Sequence, residues 1–99
     1  MPETIAALVD RARAGLDLLA TKAEPIEDEW QYVTDLGTVW GARLSDVAVR
    51  LGDEPAPDGA AEAMDALLGE AARIEDPHLA IDWLSTFPQV ALLALGEDR

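Results

Sequence analysis

Apolar residues recur at helical spacing along nearly the whole chain. In the first segment Ile5, Leu8, Val9, Ala12, Leu16, Leu19 and Ala23 return at intervals of three and four, and Arg11, Arg13, Asp17 and Lys22 fall mostly off that stripe. Thr4 or Pro2 supplies a start signal. The second segment is the most regular. Ile26, Trp30, Val33, Gly37, Trp40, Leu44, Val47 and Leu51 are spaced 4,3,4,3,4,3,4, a seam of the kind that packs at a shallow angle against other helices. Gly37 at a seam position predicts the close approach of a large ring such as Trp30, Trp40 or Trp83. Gly52 marks the end of this helix. A third segment carries Ala60, Met64, Leu67, Ala71 and Ile74, and a fourth opens with Asp76-Pro77, a good N-cap followed by a residue favoured at the first helical position. Pro88 lies inside the fourth pattern. It removes a backbone hydrogen bond and predicts a kink or break near Thr86-Phe87, with Thr86 capping a short last helix. Period-two alternation is absent, which argues against strands.

The pattern also repeats itself. Shifted by 48 residues, Ile26-Glu27-Asp28 falls on Ile74-Glu75-Asp76, and Asp17, Leu19, Ala23, Leu36, Thr38 and Leu44 meet identical residues. Of the 39 pairs from Asp10/Asp58 to Ala48/Gly96, 11 are identical, against about four by chance. The stretch Asp53 to Gly59, rich in Pro, Gly and Asp, lies between the copies. The expected fold is therefore all-α: a four-helix bundle of two tandem helical hairpins related by a pseudo-two-fold, in one domain spanning residues 1–99, with copies at about 4–52 and about 57–96.

Charge changes the picture more than composition does. With 20 acidic and 7 basic residues the formal net charge is −13. Such a surface repels nucleic acid and anionic membranes, so direct binding to either is not expected. No cysteine is present, which excludes disulfides and thiolate metal sites. The start Met1-Pro2-Glu3-Thr4 lacks the basic and apolar regions of a signal peptide. The longest uncharged run, Trp83 to Gly96, is shorter than the roughly 20 residues a spanning helix needs. A cytoplasmic protein is expected.

Candidate chemistry is sparse. Glu75-x-x-His78 has the spacing of carboxylate-bridged di-metal bundles. The repeat, however, offers Trp30 where a second His is needed, and Pro77 puts Glu75 outside the helix. Glu24-x-x-Glu27 and Glu62-x-x-Asp65 resemble magnesium-holding acidic pairs, but Pro25 interrupts the first and no phosphate-binding cations accompany them. Ser85 lies seven residues from His78, the lone histidine, about 10 Å along an intact helix and beyond direct catalysis. No catalytic residue, cofactor or metal site is expected. Trp30 and Trp40 read as core.

Val90 to Leu95 is apolar on every side. Such a helix is either central to the bundle or covered by another chain. A non-catalytic interaction protein follows, an accessory subunit or adaptor that forms a homodimer or docks to a protein partner through its C-terminal helix, with Tyr32, Phe87, Val90, Leu93 and Ala94 as contact residues. The alternative rests on the acidic stretch from Asp53 to Asp82, with nine acids and one base: an inhibitor, DNA mimic or immunity-type protein that binds a basic, nucleic-acid-binding partner.

Overall fold

A computed structural model describes residues 3–96 as four helices without a β-strand. α1 spans Ile5–Ala23, α2 Trp30–Leu51, α3 Ala60–Arg73 and α4 Pro77–Ala94, with a single 3-10 turn, Glu27–Glu29, before α2. All seven apolar residues of the first stripe are buried. They make α1 the helix that packs against each of the other three. α4 packs against α1, α2 and α3, whereas α2 and α3 do not touch among the described residues. The bundle is thus an inner pair, α1 and α4, flanked by α2 on one side and α3 on the other. Of the two positions considered for the apolar α4, it takes the central one, shared with α1.

The start of α1 shows how its end groups are satisfied. The first four N–H groups of a helix lack internal partners. Here the Ile5 and Ala6 amides donate to the Glu54 and Gly52 carbonyls at 3.0 and 3.1 Å. Ala7 donates to Thr4 Oγ1 at 3.3 Å, so Thr4, one of the two start signals considered, is the N-cap, and Leu8 donates to the Thr4 carbonyl at 3.3 Å. The Ala56 amide closes the strap onto the Glu3 carbonyl at 2.8 Å. The linker between α2 and α3 therefore doubles as the cap of α1. At the other end Lys22 Nζ donates to the Ala71, Ala72 and Ile74 carbonyls at 3.1, 2.8 and 2.5 Å. The only lysine of the chain closes the C-terminus of α3, where a cation also suits the helix dipole. At the entry to α4, Asp76 accepts from the His78 amide at 2.9 Å and Pro77 occupies the first turn, as predicted.

Helix regularity departs from expectation in two places. α4 runs unbroken from Pro77 to Ala94 with Pro88 inside it, so there is no break near Thr86-Phe87 and Thr86 opens no new helix. An internal proline costs about 3 kcal/mol. Leu84, Phe87, Pro88, Ala91 and Leu92 are all buried around it, and each large apolar side chain contributes about 1.5–3 kcal/mol, so packing outweighs the lost bond. Gln89 Nε2 also donates to the Ser85 carbonyl at 3.0 Å beside the gap. The even seam of α2 fails too. Only Leu44 and Val47 are buried; Val33, Leu36, Trp40 and Leu51 are half-buried, and Trp30 and Gly37 are exposed. α3 lies on the far side of the inner pair and does not reach α2, so the seam is covered fully only at Leu44 and Val47 and in part elsewhere.

Candidate functional site

The residues singled out for partner contact separate in the structure. Phe87 has 0% exposure. Its ring lies against Gly15, where a Cβ would collide with Phe87 Cζ and come within 2.9 Å of Leu68 Cδ2. Phe87 is thus a core residue rather than a contact residue: the α1–α4 crossing needs a ring on α4 and a glycine on α1. Leu93 is 55% exposed, Val90 37% and Tyr32 43%, while Ala94 is half-buried. Leu79, 48% exposed, stands eleven residues before Val90 and shares its side of α4 with Leu93. Tyr32 belongs to the first turn of α2 and is not part of that face.

A groove of about 360 Å³ lies where the C-terminal half of α1 runs beside the N-terminal half of α2. Ala20, Ala23, Ile26, Val33 and Gly37 form its apolar surfaces. Asp17, Glu24, Thr21 and Thr34 line it with polar groups, and Trp30, 65% exposed, stands at its side. Trp30 was expected in the core. It stays outside because α2 begins there, immediately after the 3-10 turn, with only α1 beside it. Gly37 and Gly41 have nothing within 4 Å of where a Cβ would stand. No ring approaches Gly37; its lack of a side chain leaves the groove open.

The charge around the groove has one sign. Between Lys22 and Arg43 the chain carries Glu24, Glu27, Asp28, Glu29 and Asp35 and no base. Lys22 is turned to the α3 carbonyls, and Arg43 lies over the Trp40 ring at 5.0 Å. This cation-free run, not the stretch from Asp53 to Asp82, is the signal in the sequence that marks the groove.

The residues weighed for chemistry do not assemble. Among the described residues no group of three or more His, Asp or Glu side chains could hold a metal ion. His78 and Glu75 are both exposed at the start of α4, and Glu24, Glu27, Glu62 and Asp65 are exposed. Ser85 Oγ donates to the Asp82 carbonyl of its own helix at 2.8 Å, and Ser45 Oγ accepts from Arg13 at 2.9 Å. No described helix is long and apolar enough to cross a membrane.

The fold and this surface define a small all-α helical bundle with exposed apolar patches. No protein-family model, curated protein or solved structure matches the chain.

Proposed function

We propose that the chain is a small non-catalytic interaction protein, an accessory subunit or adaptor, that self-associates or docks to a protein partner through the outer face of α4. One observation carries this reading. Val90 and Leu93 are exposed on one side of α4, in a part of the helix, Trp83 to Ala94, that has no charge. A solvent-facing helix surface is ordinarily polar there, and apolar patches of this kind mark interaction sites. A cytoplasmic setting fits a chain without cysteine. The expected result is a mass above the monomer by light scattering at high micromolar concentration, returned to the monomer by Leu93→Glu. A monomer at every concentration for both proteins would remove self-association.

A second reading has its own support. Every cation among the described residues has a partner within the molecule. Arg11 pairs with Glu3 and Asp65, Arg50 with Asp46 and Arg73 with Glu70. Arg13, Lys22 and Arg43 are engaged by Ser45, the α3 carbonyls and Trp40. The outward field is therefore strongly negative and suits an inhibitor or DNA mimic with a basic, nucleic-acid-binding partner. Displacement of labelled duplex DNA from such a partner, followed by fluorescence anisotropy, tests it; retention of the DNA at excess protein counts against it.

The finer architecture belongs to the same proposal: the hairpins α1–α2 and α3–α4 are copies of one unit at an offset of 48 residues. In support, Ala12 and Ala60, Leu16 and Met64, Ala23 and Ala71, and Leu44 and Leu92 are buried in pairs. Superposition of the hairpins at that register in an experimental structure is the check.

A further inference from the structure

We infer that the α1–α2 groove is a docking site for a cationic amphipathic helix, a basic segment that lays its apolar side against Ala20, Val33 and Gly37 and sets its cations on Asp17 and Glu24. The inference deepens the second reading above, because it rests on the same acidic field, and it is independent of the α4 face.

Three features of the groove choose this occupant. Its lining includes small residues, Ala20 and Ala23 on α1 and Gly37 on α2, and a Cβ at Gly37 would have no described atom within 4 Å. A helix position that gains about 1 kcal/mol from alanine and has space for it is here occupied by glycine, within the groove lining. Another helix backbone can approach closely there. Trp30 then offers a large exposed ring at the edge of the groove, an anchor for apolar contact and a face for a cation. The two charged groups in the lining are carboxylates, with Glu27, Asp28, Glu29 and Asp35 on the adjoining turn and helix. A second copy is disfavoured by the same charges: a two-fold pairing of this groove sets Asp17 and Glu24 against their equivalents, between chains of net charge −13. A basic partner reverses that repulsion.

The probe is a synthetic Leu/Lys amphipathic peptide of about 18 residues, about 27 Å long when helical, compared with a Leu/Glu peptide of the same apolar pattern. Binding to the full-length protein is read by calorimetry and by the helical signal the peptide gains. The expected result is binding of the Leu/Lys peptide alone, weakening as salt rises from about 0.05 M to about 0.5 M. Asp17→Lys with Glu24→Lys, or Trp30→Ala, should lower affinity about tenfold or more, and Gly37→Leu should obstruct the groove with the same effect. Glu62→Lys with Asp82→Lys makes the same change in net charge on α3 and α4 and should lower it far less. Equal losses in the two double variants would overturn the groove while leaving a general attraction for basic partners. No binding of the Leu/Lys peptide would overturn both. Equal binding of the Leu/Glu peptide, or self-association abolished by Gly37→Leu, would also overturn the inference, the latter by showing a second copy in the groove. Leu93→Glu should leave peptide binding unchanged, which separates this surface from the α4 face. Circular dichroism and thermal melts confirm that each variant folds.

Discussion

At the scale of single residues, the contact between Gly15 and Phe87 is the least tolerant feature of the core. Phe87 is fully buried and its ring occupies the space where a Cβ of residue 15 would stand. Phe87→Ala is expected to cost about 3–5 kcal/mol through lost contacts and a cavity. Gly15→Ala is expected to cost about 1–3 kcal/mol by overpacking, and urea unfolding measures both. Gly96, just beyond α4, has φ of 78° and lets its amide turn back to the Leu93 carbonyl at 3.0 Å; this is the left-handed conformation that suits glycine at a helix end. Gly37 is the counterexample to Gly15. Its environment is empty, so Gly37→Ala is expected to stabilise the fold by up to about 1 kcal/mol, seen as a higher urea midpoint at an unchanged slope. The two glycines are indistinguishable by type. Only what lies across from them separates a packing requirement from an open surface.

At the scale of elements, legibility follows how much each helix is surrounded. The α1 stripe could be read in full, because α1 is packed by three helices and every apolar position on its inner side finds a neighbour. The caps Thr4 and Asp76 could also be read, since capping is local chemistry. α2 has an equally clear pattern, yet its fully buried residues, Leu44 and Val47, both lie in its second half, and Trp30 and Gly37 stay outside. Amide exchange tests the consequence: protection in α2 should be markedly lower over residues 30–41 than over 42–51, where Leu44 and Val47 anchor the helix. Equal protection along α2 would contradict the open flank. α4 departs from local expectation in the opposite direction. Pro88 predicts a kink or a break; no break occurs, because burial on both sides of it holds the helix together. Of the residues named for partner contact, Tyr32, Val90 and Leu93 are exposed, Ala94 is half-buried and Phe87 is buried, because residues in a helix apolar on all sides divide between core and surface only when neighbours are placed.

At the scale of the whole molecule, charge is the dominant unspent term. With 20 acids against 7 bases and each described cation engaged internally, the folded chain repels itself. Added salt screens that repulsion, since the Debye length falls from about 30 Å at 0.01 M to about 3 Å at 1 M. The melting temperature is therefore expected to rise with sodium chloride, measured by calorimetry. A charge-reduced variant with Glu27, Asp28 and Glu29 changed to Gln should show a smaller rise; equal rises in the two proteins would argue against self-repulsion at this corner.

What this sequence determines by itself is what local physics can settle: helices from apolar periodicity, their start signals from Thr4 and Asp76-Pro77, the break between α2 and α3 from the stretch Asp53 to Gly59, and the sign of the surface field. Tertiary structure alone decides which side of each helix meets another. It places α2 and α3 on opposite sides of an inner pair, carries α4 through Pro88, buries Phe87 against Gly15 and leaves Trp30 beside an open groove. The reason is that a hydrophobic position has no intrinsic partner. Its burial is non-directional, and its fate depends on helix lengths and packing order, which no local window of residues contains.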